Sequence, residues 1–294
     1  SFKNVAKLDQ WDPVPMGDGQ KLALRLQGSS YFQTYSLSFS EPWFGGKKPI
    51  NFSGSIAYSK QYANTVSGVD RSKYFNITAV SVGIAKRLSV PDDFFVLSQG
   101  LSFQYYDLNN YNIGLFKFGN GSARNFAYTI GLSRNNKGVN PIFPMYGSEF
   151  SVSAKFTPPY SLFDGINYSD LGNQEKYKLR NESSIAIATA DGTGTILPGE
   201  YIDANGNRAL TYDKAAVDQG KVDQTRFRLL EYYKLKFKAD WFTRLYGKLV
   251  LRTLSEFGYL GAYNQSRGLV PFERFYVGGD GLANFAQDGR EVIQ

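Results

Sequence analysis

Hydrophobic and polar residues alternate with a period of two along much of this 294-residue chain, and only an extended strand puts successive side chains on opposite faces. Leu22, Leu24 and Leu26 fall on one side, Lys21, Ala23, Arg25 and Gln27 on the other. Tyr35, Leu37 and Phe39 alternate with Thr34, Ser36, Ser38 and Ser40, and Phe52, Ile56 and Tyr58 with Asn51, Ser53, Ser55 and Ser59. Less complete runs follow at Phe95 to Tyr105, Phe126 to Leu132 and Phe150 to Phe156. The sharpest comes late, where Tyr233, Leu235, Phe237, Ala239 and Trp241 alternate with Lys234, Lys236, Lys238 and Asp240. Leu249, Leu251, Phe257 and Tyr259 then oppose Lys248, Arg252 and Glu256. With weaker runs near residues 5–12 and 76–86, the pattern predicts about ten strands, many near the ~9–11 residues that cross a bilayer at a tilt.

Connections of two kinds separate these runs. Tight links at Pro42 to Pro49, Ser89 to Asp93 and Thr243 to Gly247 alternate with longer polar segments around 60–74, 106–124 and 158–226. An antiparallel transmembrane β-barrel has this asymmetry, with short turns at the periplasmic rim and long loops outside. The segment at about 158–226 is then a long extracellular loop. A soluble β-sandwich also alternates, but it concentrates aromatics in mid-strand. Here Tyr31, Phe32, Trp43, Phe44, Phe94, Phe95, Tyr105, Tyr106, Tyr232 and Trp241 gather near strand ends, where interfacial girdles lie. In a barrel the apolar face meets lipid and Lys234 and Lys236 face a wet lumen, which removes the cost of burying their charge. No fixed repeat or Pro-rich linker divides the chain, so residues 1–294 read as one domain.

Composition removes most chemistry. Cysteine and histidine are both absent, which excludes disulfides, Cys/His zinc sites, thiol nucleophiles and Ser/His pairs. Hydrophobic residues make up 42% and aromatics 16%, yet mean hydropathy is −0.34. No stretch approaches the ~18–20 apolar residues of a membrane helix, and Ser1 to Asn4 do not open a signal peptide. The net charge of +7 is spread along the chain. A nucleic-acid platform is not expected, because alternation separates the rings from the lysines. Asp92 with Asp93, and Glu273 with Asp280, are the only acid pairs worth weighing as catalysts, and each reads as a solvated turn or loop. The glycine-rich stretches at 119–123 and 279–281 do not lie between a strand and a helix, so no phosphate loop is expected. The expectation is a non-enzymatic protein without cofactor or metal.

Three ordered segments carry a resemblance. "YFQTYSLSFSEPWF" (31–44), "NPIFPMYGSEFSVSAKF" (140–156) and "FERFYVGGDGL" (272–282) are similar to segments of the BamA family of outer-membrane protein assembly factors. Pro42, Trp43 and Phe44 match that family's aromatic turn, and Phe143, Pro144 and Gly147 its "FPxxG" turn. Phe275, Tyr276, Gly278 and Gly279 match the opening of a loop that folds back into the lumen; here that loop would begin at about 262–294. The resemblance implies part of a sixteen-stranded barrel, without its periplasmic POTRA domains and without the Arg-Gly-aromatic tip of that loop. It implies a bacterial outer-membrane location, lipid and unfolded β-barrel substrates as partners, accessory lipoproteins, and closure by further strands of the same barrel. Bare strand edges in lipid are too costly to persist. Insertion would proceed by strand templating at a lateral seam. A protein-secretion transporter or a porin-like diffusion channel is the alternative.

Overall fold

The computed structural model describes residues 19–45, 49–65, 68–111, 118–137, 144–277 and 291–293. Seven strands come first: β1 (Lys21–Gly28), β2 (Phe32–Glu41), β3 (Ile50–Thr65), β4 (Gly68–Arg87), β5 (Phe95–Asn109), β6 (Gly121–Asn135) and β7 (Gly147–Phe156). An insert follows, holding the two-residue strands β8 (Ile187–Ala188), β9 (Thr195–Ile196), β10 (Tyr201–Ile202) and β11 (Arg208–Ala209) and the helix α1 (Gln219–Phe227). The chain then returns through β12 (Tyr233–Tyr246) and β13 (Leu249–Gly261), and ends in β14 (Phe275–Val277) and β15 (Glu291–Ile293), which pair in parallel.

Nine strands form one antiparallel sheet in the order β1-β2-β3-β4-β5-β6-β7-β12-β13. Among the described residues β1 and β13 are its edges, so the sheet is not closed. The fold is all-β and barrel-like. Nine of the about ten expected strands stand in this sheet among the described residues, and the run near 5–12 lies outside them.

Register converts alternation into two surfaces. Leu24, Leu37, Ile56, Val80, Phe103 and Phe126 form one continuous outward row across six strands. Leu97, Leu132, Val152, Phe237 and Phe257 form another. Most of these side chains are bare: Leu24 is 67% exposed, Ile56 56% and Phe257 60%. An apolar face spanning a whole sheet does not persist in water and marks a lipid-contacting surface. The opposite face is small and hydroxylic. Ser38, Ser55, Ser81, Ser102 and Ala127 make one inner row, and Ser55 and Ser81 hydrogen-bond across strands at 2.8 Å.

Two expected connections are corrected. Residues 60–74 belong mostly to β3 and β4, which run 16 and 20 residues. The register shifts after the Tyr62–Tyr74 pair, leaving Arg71, Ser72 and Lys73 without cross-strand partners, and this bulge erased the period-two signal. The segment expected as a loop at 158–226 is a folded insert running to Tyr232. Tyr168, Leu171, Tyr177 and Val222 form its core, and Asp218 caps α1 by accepting from the Lys221 amide at 3.1 Å. The insert also completes the sheet. β7 pairs with β6 only from Tyr128 onward. Above that point the backbone of Arg124 exchanges bonds with Arg228 and Leu230 at 2.9 and 2.8 Å, and the Gln224 amide holds both backbone groups of Ser122.

Candidate functional site

Where the insert meets the sheet, the inner wall turns apolar. Phe75 on β4, Tyr106 and Leu108 on β5, and Ala123 on β6 pack with Phe118, with Phe227, Leu230 and Tyr232 of the insert, and with Val270 beyond β13. The inner wall at this end of the sheet is covered by a dry cluster. The segment from Ala262 to Phe275 lies across it and is held by two charged side chains of opposite sign.

The first is Arg267, 4% exposed. Its Nη1 donates to Glu231 Oε2 at 3.0 Å and to the Tyr168 hydroxyl at 3.3 Å. Its Nη2 donates to the Arg226 carbonyl at 2.6 Å and to the Leu229 carbonyl. The guanidinium also sits 4.7 Å from the Tyr168 ring centroid. Glu231 is held from its other side by the Ser161 amide and hydroxyl, both at 2.7 Å. Planar, multi-donor contacts of this kind are what arginine provides and lysine does not. Burial and the hydrogen bond to Asp164 push the Tyr168 hydroxyl up to about 12.

The second is Glu273. Its Oε1 accepts from Lys155 Nζ at 2.6 Å and from the Tyr232 hydroxyl at 2.7 Å, and its Oε2 from Lys234 Nζ at 3.2 Å. The Tyr232 hydroxyl in turn accepts from Asn125 Nδ2 at 3.1 Å. Burial alone would raise the carboxyl, but the charges of Lys155 and Lys234 outweigh it and lower the group to about 2. Burial pushes the Tyr232 hydroxyl up, and the Glu273 charge adds to it. A carboxylate locked this firmly in its ionised form has no proton to give near neutrality. The arrangement positions a segment. This corrects the expectation of a solvated turn at Glu273, while Asp280 lies outside the described residues. The lysine ladder is lumenal as expected: Lys234 pairs with Glu273, and Lys238 Nζ meets Glu256 Oε1 at 2.5 Å.

Phe275 follows at the same wall. Its ring lies 4.4 Å from Lys234 Nζ and presses on Gly258, where a Cβ would come within 2.7 Å of the ring. The segment that ends at Phe275 thus lies against the inner face. For Tyr276 only the backbone, in β14, is described, and Gly278 and Gly279 lie outside the described residues. The other matched residues stand at the opposite end of the sheet. Pro42, Trp43 and Phe44 form the turn after β2, with Phe44 stacked on Phe52 at 5.0 Å. Pro144 and Gly147 lead into β7. Gly147 has φ +101°, and a Cβ there would fall 2.4 Å from the Asn136 carbonyl, so only glycine fits. Phe143 lies outside the described residues. Asp92 is a turn residue whose carboxylate takes Arg134 Nε at 2.9 Å and the Phe94 amide at 3.0 Å.

Sequence reasoning missed Arg267 and the role of Glu273. One signal was present: Tyr106 and Leu108 put large apolar groups on the inward parity of β5, which requires something to cover them. A second was the lysine ladder, which calls for an acidic neighbour supplied by a loop.

Curated proteins offer no match to the chain. The profile of the Omp85 superfamily domain matches residues 16–205, from ahead of β1 into the insert. Together with a sheet that is apolar outside and hydroxylic inside, this match places the chain in the Omp85 superfamily of outer-membrane β-barrel proteins, which insert or secrete other proteins.

Proposed function

We propose that the chain is part of a bacterial BamA-type assembly barrel, which catalyses folding and insertion of outer-membrane β-barrel proteins by templating their strands at a lateral seam. The observation that carries this reading is the docking on the inner wall of the segment that leads up to Phe275, with Glu273 between Lys155 and Lys234. The ordered aromatic-turn and Gly147 motifs support the assembly branch of the superfamily. Driving force comes from the substrate, which buries its own apolar belt and closes its own hydrogen bonds, so the barrel lowers a kinetic barrier. No cofactor, metal or catalytic side chain is required. Lipid, unfolded β-barrel proteins, accessory lipoproteins and the remaining strands of the barrel are the partners in this reading.

A porin-like channel fits less well, because the cluster from Phe75 to Val270 makes part of the inner wall dry and apolar. A secretion transporter is the closer rival. The test is to reconstitute the full-length protein in liposomes and add urea-unfolded β-barrel substrates of several sequences. The proposal expects faster folding of all of them than in empty liposomes. Acceleration absent for all, or passage of a single dedicated partner with no folding effect, contradicts it.

A further inference from the structure

Toward the insert, the outward face changes character above its apolar belt. Register places Leu26, Tyr35, Tyr58, Thr78 and Tyr105 in one row, and Gln33, Lys60, Asn76 and Asp107 in the next. Lys60 Nζ lies 4.1 Å from the ring centroid of Tyr74 and 5.1 Å from that of Tyr62. Among the described residues no carboxylate reaches it within 4.0 Å. The nearby acids are engaged elsewhere: Asp107 takes the Asn76 amide at 3.5 Å, and Asp70 holds the Ser72 hydroxyl at 2.6 Å and Lys73 at 3.5 Å. Four cations of the inner wall differ: Lys155, Lys234, Lys238 and Arg252 each face a carboxylate.

An uncompensated ammonium on a lipid-facing wall is costly at mid-bilayer and nearly free at the interface. The tyrosine row directly below marks that interface. Two rings cradle the ammonium without accepting its hydrogen bonds, so its donors remain for an anion. The β4 bulge adds exposed Arg71 and Lys73 at the same rim. We infer that Lys60, in the Tyr62–Tyr74 cradle, binds the phosphate of an outer-leaflet glycolipid. Continuity with the lipid belt and the sign of the charge select this occupant. The inference depends on the outward face meeting lipid and not on the assembly role, so either can fail alone.

The test is native mass spectrometry of the full-length protein in detergent with added diphosphorylated lipid A, phosphatidylglycerol or inorganic phosphate. Lys60→Gln is expected to lower lipid A retention about fivefold, as loss of one interfacial cation does. Tyr74→Phe, which keeps the ring, and Lys248→Gln, at the opposite rim, are expected to leave it unchanged. Equal retention by the parent and Lys60→Gln overturns the inference, as does an equal loss in Lys248→Gln. Retention of phosphatidylglycerol or inorganic phosphate as strong as that of lipid A, and equally sensitive to Lys60→Gln, overturns the choice of glycolipid.

Discussion

Glu273 shows how one side chain fixes a loop that has little regular structure of its own. Replacing it by Gln leaves Lys155 and Lys234 facing a neutral amide, and losing one partner of a buried pair costs on the order of 3–5 kcal/mol. The expected outcome is a clear fall in the thermal unfolding midpoint of the full-length protein in detergent. Adding Lys155→Met and Lys234→Met to Glu273→Leu should restore most of it, because an apolar set of similar volume avoids the desolvation cost. The same carboxylate sets a pH window. Its folded value is about 2 against an ordinary 4.5, so the unfolded chain binds the proton more readily. The contribution is therefore complete above pH 4.5 and is lost as pH falls from there toward 2. The Glu273→Gln variant should lose this acid sensitivity, which unfolding midpoints measured from pH 7 to pH 3 would reveal. Gly147 makes a separate demand on the backbone. Gly147→Ala should cost about 1–3 kcal/mol through positive φ and contact with the Asn136 carbonyl.

At the scale of elements, neighbouring residues on one strand have opposite tolerances. Ile56 on β3 faces outward at 56% exposure, whereas Ser55 beside it bonds Ser81 on the inner wall. Ile56→Arg should destabilise the membrane-inserted protein by about 2–4 kcal/mol if the site is near mid-bilayer depth, and Ser55→Arg by much less. Urea titration in lipid vesicles measures both. This contrast is also what made the strands legible in sequence: each of the nine keeps its parity for most of its length, since lipid and lumen impose it at every residue. Legibility ended where a third environment intruded. At the tops of β4 and β5 the packed insert puts Phe75, Tyr106 and Leu108 on the inner face, and the bulge after Tyr62 breaks parity outright. The fold of the insert leaves no trace in the sequence pattern because its core is small and its strands are two residues long, too short to show a period. Of the docking site, the Phe275 motif and the lysine ladder were visible. Arg267 was not, because its partners are backbone carbonyls and distant side chains that leave no local pattern.

The whole molecule is a wall with two solvents and a folded cap. The insert serves the free edge of β6, supplies Tyr232 to the lumenal cluster, and grips Arg267 through Glu231. Cap and lumenal segment are thus mechanically joined, and releasing Arg267 should loosen both. Arg267→Ala is expected to raise protease sensitivity within 160–227 as well as near Arg274, while a change confined to one of them would separate the two bodies. The central claim beneath all of this is that lipid meets the outward rows and water the inner ones. Since the chain has no cysteine, single cysteines placed successively from Asn51 to Ser59 in the full-length protein in liposomes report on it directly. Labels at residues 52, 56 and 58 should be quenched by lipid-soluble agents, and those at 51, 53, 55 and 59 by water-soluble ones. Uniform quenching along the strand, or the inverse alternation, would contradict the account.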